Sequence, residues 1–196
     1  MENTSTAPRG VGDPLPANCQ VIEVHVGELN QLFNAMDPAP FRERDLDPNA
    51  EAFIVDWARE LHHDRPVALV VSLDRQAGTP DAAAILKDAV REFFTQRALA
   101  TRRKLRQLFK VGRRSLAIGL LVVAASVLVG DLLAAALQES RFGSVLRESL
   151  LIGGWVAMWR PLEIFLYDWW PIRAEARLYD RLSAMPVRIE PARSQP

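Results

Sequence analysis

The sequence predicts an α+β protein in which a small cytoplasmic α+β head is joined by a long helix to a two-helix transmembrane hairpin. Two apolar runs, at 115–137 and 149–170, predict the hairpin. As helices, these runs would be roughly 33 to 35 Å long, enough to cross a hydrocarbon core of about 30 Å. Strand and turn signals before residue 80 predict the head. The expected divisions are 1–19, a disordered leader; 20–114, the head with its long basic helix; 115–170, the hairpin; and 171–196, a C-terminal helix with a third strand.

The head begins with "VIEVHV" at residues 21–26, whose alternation predicts a half-buried strand. A short helix is expected over 28–36. A second helix is expected over 49–62, where Asp47 caps the first turn and Pro48 takes the first helical position. Its core stripe is expected to be Phe53, Ile54, Trp57 and Leu61.

Two further strands complete the expected head. The apolar run at 66–74 predicts one strand, and "PVRIEP" at 186–191 predicts another that returns to the same sheet. Between them, Thr79 is expected to cap a long helix that begins at Pro80 and runs into the first span. The leader contains no apolar segment of a cleavable signal peptide, and the single Cys19 fits a reducing compartment.

Basic residues near the apolar runs predict the orientation of the hairpin. Seven lie between 102 and 114 and three between 173 and 181, against Arg141 and Arg147 in the link. Because basic residues favour the cytoplasmic side, both termini are expected to be cytoplasmic, in a multi-pass protein of the cell inner membrane. The residues expected to contact anionic lipid headgroups or a partner are Arg102, Arg106, Lys110, Arg114, Arg173, Arg177 and Arg181.

The charge is uneven although the net charge is zero. Residues 1–79 carry 6 basic and 13 acidic side chains, whereas 80–114 carry 10 and 3. The two segments either match each other internally, or the basic one meets anionic lipid while the acidic one faces another protein. Since the position beside the membrane already explains the basic segment, we expect no nucleic acid binding.

Charged residues inside the apolar runs are the candidate site. Arg160 and Glu163 lie around Pro161 in the second run, at a spacing that allows pairing on one helical face. If the helix continues to Trp170, Arg160 lies about 15 Å from the cytoplasmic end, close to mid-bilayer. If the chain bends at Pro161, the segment lies along the interface instead. We favour a tilted span kinked at Pro161, and the pair either locks that kink, forms an ion or proton path, or contacts another subunit.

In the first run, Asp131 is the intramembrane charge, and Arg147 is its expected partner by depth. Ser126, Gly130 and Ala134 form a small-residue stripe that allows a second helix to approach closely. That helix is either the second helix of the same hairpin or a helix of another copy.

The sequence of the head gives only weak signals for a metal or catalytic site. His62 and His63 diverge by about 100° on a helix, so they make a poor metal pair, and His25 lies on another element. A hydrolytic site could be assembled from these histidines with Asp45 and Asp47 only by assuming the fold. Phosphate-binding glycine loops, HExxH, paired CxxC and GxSxG motifs are absent from the sequence, so we expect no metal, cofactor or catalytic residue.

The segments "APFRERDLD", "AEAFIVDWAREL" and "WVAMWRPLEIFLYDWWP" resemble segments found together in uncharacterised bacterial membrane proteins with two predicted transmembrane helices. The resemblance covers the first half of the head and the second span, and it implies no activity, ligand or catalytic residue.

Three functions remain for a chain of this design. We favour a membrane-anchored interaction or assembly protein that binds another protein or forms a homo-oligomer. A small channel or transporter subunit that uses Arg160, Glu163 and Asp131 is the alternative. A membrane-tethered hydrolase is the third.

Overall fold

The computed structural model describes residues 10–35, 44–62, 65–75, 81–136 and 141–191. The structure is mixed α/β, with a small four-stranded sheet and long helices, two of which are long and apolar enough to span a membrane. The chain divides into two compact units. We call Met1–Leu99 with Ala176–Pro196 the sheet unit, and Ala100–Glu175 the hairpin unit.

The strands are β1 (Val11–Gly12), β2 (Gln20–Val26), β3 (Val67–Leu73) and β4 (Val187–Pro191), and their order in the sheet is β1-β4-β3-β2. Strands β2, β3 and β4 run parallel, and their presence confirms the three strands predicted from the sequence. The register aligns Ile22 with Leu69 and Val187, so one face of the sheet is a continuous apolar surface.

Strand β1 lies in the segment for which the sequence predicted a disordered leader. Val11 and Gly12 pair antiparallel with Ile189 and Arg188 of β4, so the leader prediction is wrong at these two positions. Gly12 has a φ of 136°, and a Cβ there would lie 2.6 Å from the carbonyl oxygen of Val187. Only glycine fits this backbone without strain. Residues 1–9 lie outside the described residues.

The helices are α1 (Pro48–Glu60), α2 (Ala82–Ala136), α3 (Arg141–Glu163) and α4 (Trp169–Ser183), and a π-helical turn at Ile164–Asp168 joins α3 to α4. Helix α1 begins as predicted, because Asp47 accepts a hydrogen bond from the Asn49 backbone N–H at 2.9 Å and Pro48 follows it. The predicted start of α2 at Thr79 and Pro80 lies outside the described residues. Strand β4 follows α4. Helices α1, α2 and α4 contribute side chains to one hydrophobic core with the sheet.

The core of the sheet unit is apolar and well buried. Its largest fully buried side chains include Ile22, Leu32, Ile54, Leu69, Leu86, Phe94 and Leu182. Phe94 of α2 stacks on Tyr179 of α4 at a ring distance of 6.2 Å, which holds two parts of the unit that are distant in sequence.

The buried face of α1 differs from the predicted stripe. Ile54, Val55 and Ala58 are buried, whereas Phe53 and Trp57 are 42% and 44% exposed. On a helix, positions 53 and 57 form one row and positions 54 and 58 the next, about 100° away. Apolar residues occupy both rows, so the pattern was too wide to identify the one that faces the sheet.

The helix expected over 28–36 is only a short 3-10 helix, Leu29–Leu32. The Gln31 side chain accepts from the backbone N–H of Gly27 and Glu28 and so begins the helix. Backbone pairing ends it, because Asn34 N–H donates to Asp45 and Asp47 N–H donates to Leu32. Phe33 is thereby held in a β-bridge with Leu46.

Two substitutions in α1 test which row is buried. Because Ile54 is fully buried, Ile54→Ala should lower the free energy of unfolding by about 2–5 kcal/mol. The half-exposed Phe53 predicts a loss below about 1 kcal/mol for Phe53→Ala. Urea unfolding of the full chain in detergent, followed by circular dichroism, measures both. Equal losses would show that Phe53 belongs to the core.

Candidate functional site

The two helices of the hairpin unit pack along a seam with a heptad-like repeat. On α2, buried and half-buried positions recur every three or four residues at Gly112, Leu116, Gly119, Val123, Ser126 and Gly130. On α3 and the π-helical turn they recur at Leu150, Gly154, Ala157, Pro161, Ile164 and Asp168. An average spacing of about 3.5 residues keeps one face of each helix against the other.

Glycine residues allow α2 to pack closely against α3 and the π-helical turn. A Cβ at Gly112 would lie 2.8 Å from Ile164 Cγ2, and one at Gly119 would lie 2.8 Å from Met158 Sδ. A Cβ at Gly154 would lie 3.3 Å from Val123 Cα. Since larger side chains would separate the helices, these positions fix which levels of α2 and α3 face each other.

The small-residue stripe of the first run therefore faces the second helix of the same hairpin. Ser126 lies against Gly154, with its Oγ 3.3 Å from the position of a Cβ there. A Cβ at Gly130 would lie 3.2 Å from Arg147 Cγ. Of the two partners considered for Ser126 and Gly130, the structure shows the intramolecular one.

Arg160 lies in a cluster with two carboxylates. Its Nη1 is 3.1 Å from Glu163 Oε2 and 3.3 Å from Asp168 Oδ2. The indole Nε1 of Trp159 donates to the other oxygen of Glu163 at 2.9 Å. The predicted contact between Arg160 and Glu163 is present, and Asp168 is an additional partner. The cluster carries a formal charge of −1, and Arg160 remains 64% exposed.

The cluster surrounds an irregular part of the helix. The chain stays helical through Pro161, inside α3, and the irregularity is the π-helical turn Ile164–Asp168. Pro171 lacks the N–H that would bond to Tyr167 or Leu166, which accounts for weakened α-helical bonding here. Trp169 Nε1 donates to the Phe165 carbonyl at 2.9 Å and so supplies a hydrogen bond to the backbone of this turn.

The level of Arg160 along the hairpin follows from the packing of α2 against the second helix. Gly119 faces Met158 and Gly112 faces Ile164, so Arg160 lies between these two levels. It is therefore level with the start of the first apolar run, within about a turn of Arg114. The expected depth was measured from Trp170, whereas the packing places Phe165 beside Gly112.

Asp131 and Arg147 form the second charged pair. Arg147 Nε lies 2.9 Å from Asp131 Oδ1, as the depth argument predicted. The contact joins α2 to α3, and both side chains stay about half exposed, at 56% and 53%. Helix α3 begins at Arg141, well before the predicted start of the second run at Ser149, so Arg147 lies within a helix rather than in a link.

The predicted basic contacts have different surroundings. Arg102, Arg106, Lys110, Arg114, Arg173 and Arg177 are exposed. The Arg173 guanidinium lies 5.5 Å from the centre of the Trp169 ring. Arg181 differs, because it donates to the backbone carbonyls of His62, at 2.8 Å, and Arg65. Arg181 thus joins α4 to the chain that precedes β3, within the sheet unit.

Polar contacts in the sheet unit match some acidic and basic residues internally. Lys87 lies 2.8 Å from Asp13 and Arg97 lies 2.5 Å from Glu51, which joins α2 to residues before it. His25 Nε2 lies 3.0 Å from Asp74 Oδ1, with both side chains more than half exposed.

The described residues among those considered for a hydrolytic site have separate local contacts. His62 Nδ1 lies 3.4 Å from Gln20 Nε2, Asp47 caps α1, and His63 lies outside the described residues. Within the described part of the chain, no group of three or more His, Cys, Asp or Glu side chains is placed to hold a metal ion.

Two features of these surfaces were not anticipated from the sequence. Asp168 follows Arg160 by eight residues, about 12 Å along an α-helix, so the usual spacings of three and four did not predict the contact. The exposed Phe53 and Trp57 rings lie 6.0 Å apart, and nothing in the apolar pattern distinguished them from core residues.

Comparison with protein-family models, with curated proteins and with solved structures finds no match for the chain.

The cluster at Arg160 predicts an asymmetry between two substitutions. After Glu163→Gln, Arg160 retains Asp168, so the free energy of unfolding should fall by less than about 1 kcal/mol. Arg160→Gln leaves two neighbouring carboxylates without their cation and should cost more than Glu163→Gln. Adding Glu163→Gln to Arg160→Gln should recover part of the loss. Denaturant unfolding in detergent measures the series, and equal, additive losses would contradict the cluster.

Proposed function

We propose that the chain is a membrane-anchored interaction or assembly module. In this proposal, the hairpin unit inserts into the cell inner membrane as a multi-pass anchor, both termini are cytoplasmic, and the sheet unit contacts another protein or a second copy of the chain. The proposal concerns anchoring and binding and assigns the chain no reaction.

The exposed apolar surface of the hairpin unit carries the anchoring part of the proposal. In the most apolar 18-residue segment of α2, only 11% is buried, and in that of the helical segment from Arg141 to Ser183, 17% is buried. A core helix of a soluble protein would be mostly buried at this length. Large apolar side chains with more than half of their surface exposed include Ile118, Leu121, Leu128, Leu132, Ile152, Trp155 and Val156. An apolar surface of this length is suited to lipid.

The distribution of basic side chains supports the proposed orientation. Exposed arginines and lysines of α2 precede the first apolar run, and Arg173 and Arg177 follow the level of Arg160 on the second helix. Within the hairpin unit, the basic residues of 102–114 and Arg173 belong to the same end, since the ring of Phe109 lies near that of Trp169, with ring centres 6.4 Å apart. Basic residues near span ends favour the cytoplasmic side, where they also meet anionic headgroups.

The contact surface that we propose is the aromatic pair Phe53 and Trp57 on α1. The rings are 42% and 44% exposed and lie 6.0 Å apart, on the row of α1 next to that of Ile54 and Ala58. Exposed tryptophan and phenylalanine side chains beside charged neighbours are typical of binding surfaces, because they bury much apolar area with little loss of conformational freedom.

The placement of charges supports an anchor over a channel. Arg160, Glu163 and Asp168 neutralise one another in part at one level, and Asp131 pairs with Arg147 at the other. Between these levels, residues 115–130 and 149–159 carry no charge. An ion path within one hairpin would need polar groups along this depth.

Cysteine labelling tests the orientation. In a chain carrying Cys19→Ser, single cysteines introduced by Ser5→Cys or Ser194→Cys should resist a membrane-impermeant thiol reagent in intact cells, because both termini face the cytoplasm. Ser140→Cys should react. Permeabilised cells provide the control, in which all three must react. Labelling of either terminus in intact cells would reverse the proposed topology.

Photo-crosslinking tests the contact surface. A photoreactive amino acid in place of Phe53 or Trp57 should produce a crosslinked species in membranes, because a bound partner would cover these side chains. The matched control is Glu60, an exposed residue of the same helix, where the yield should be several-fold lower. The mass of the adduct distinguishes a second copy from another protein. Equal yields at all three positions would argue against a defined surface on α1.

A further inference from the structure

We infer that the hairpin unit fits a lipid bilayer thinner than an average one, so that it prefers short acyl chains or thins the lipid around it. The inference rests on the proposed membrane insertion and adds the kind of bilayer that the surface matches. It follows from the height of the charge-free surface between the two charged levels of the hairpin, which we call the apolar belt and define as residues 115–130 of α2 and 149–159 of α3.

The belt is short on both helices. At the helical rise of about 1.5 Å per residue, its α2 segment is about 24 Å high and its α3 segment about 17 Å high, against a hydrocarbon core of about 30 Å in a typical bilayer. The two apolar runs are long enough to span only because 115–137 includes Asp131 and 149–170 includes Arg160, Glu163 and Asp168. The charge-free part of either helix falls short of an average core.

The packing aligns the two short segments instead of staggering them. The salt bridge between Asp131 and Arg147 joins the helices at one boundary. The contact of Gly112 with Ile164 joins them at the other, near Arg114 and Arg160. A staggered pair could have combined into a taller apolar surface, but these contacts place charge on both helices at each boundary.

The charged residues at these boundaries are not covered by the hairpin itself. Asp131 and Arg147 are 56% and 53% exposed, and Arg160 is 64% exposed. An arginine side chain can extend several ångströms along the helix toward the headgroups, but the short side chain of Asp131 cannot. Asp131 therefore fixes the boundary on its side more strictly than the arginines do.

The aromatic residues agree with a boundary at Arg160. Trp159, Tyr167 and Trp170 are 66%, 71% and 64% exposed, and they lie on the same part of the chain as the Arg160 cluster. Exposed tryptophan and tyrosine prefer the level of the headgroups. With that end held at the interface, a hydrocarbon core of ordinary thickness would extend beyond Asp131. Local thinning of the bilayer brings the headgroups to this level at a modest cost for each ångström.

Reconstitution into vesicles of defined thickness tests the inference. The full chain is incorporated into phosphatidylcholine vesicles with monounsaturated acyl chains from about 14 to about 22 carbons long. Flotation measures the incorporated fraction, and circular dichroism in urea measures the unfolding midpoint. Both should be highest in the thinnest vesicles and fall as the acyl chains lengthen.

Two variants of the Asp131 boundary provide matched comparisons. The triple variant Asp131→Leu, Arg147→Leu and Glu148→Leu extends the belt on both helices at one end, because Glu148 is an exposed charge directly beside the belt on α3, so its optimum should shift to longer acyl chains. The exchange variant Asp131→Arg with Arg147→Asp keeps a charged pair at the same level, and its optimum should stay that of the original chain. If the leucine variant loses helix content, the preference of the unsubstituted chain decides alone.

Three results would overturn the inference. A preference of the unsubstituted chain for long acyl chains, or no preference, would do so while leaving the proposed anchor intact. An unchanged optimum in a folded leucine variant would also overturn the inference. If that variant in addition dissociates an oligomer, Asp131 and Arg147 face a second copy instead of lipid. Failure to incorporate at any thickness would refute the anchor itself, and the inference with it.

Discussion

The close packing of α2 against α3 sets the level of every charged side chain in the hairpin unit. Glycines 112, 119 and 154 bring the two backbones together, and each position faces a definite part of the other helix. Once this register is fixed, Arg147 can reach Asp131. Arg160 then lies level with Arg114, at the start of the first apolar run, instead of level with the middle of that run. A bulky side chain at one of these glycines would change the alignment of both charged levels together.

Local signals in the sequence predicted most of the secondary structure. Alternation in β2, a continuous apolar run in β3 and the Asp47–Pro48 start of α1 each depend on residues within a few positions of one another. The missing parts depend on distant residues. Strand β1 exists because β4, at the opposite end of the chain, offers backbone groups to Val11 and Gly12. The helix at Leu29–Leu32 is short because residues 45–47 compete for its backbone hydrogen bonds.

The candidate site was predictable in its pairs but not in its position. The contact between Arg160 and Glu163 follows from helical spacing, and that between Asp131 and Arg147 from their distances to the ends of the two runs. Depth required the register of two helices, which one-dimensional spacing does not contain. A similar limit applies to α1, where Phe53 and Ile54 are equally apolar and only the position of the sheet decides that Ile54 is buried.

Strand β1 also protects one edge of the sheet from pairing with another chain. The outer edge of β4 would otherwise present unpaired backbone N–H and carbonyl groups, which are a template for pairing with another chain. Val11 and Gly12 pair with Ile189 and Arg188 of that edge, and only glycine allows the close approach of position 12 to Val187. A chain shortened from its N-terminus past Gly12 would keep the whole apolar core and yet expose the edge, so its first defect would be aggregation rather than unfolding.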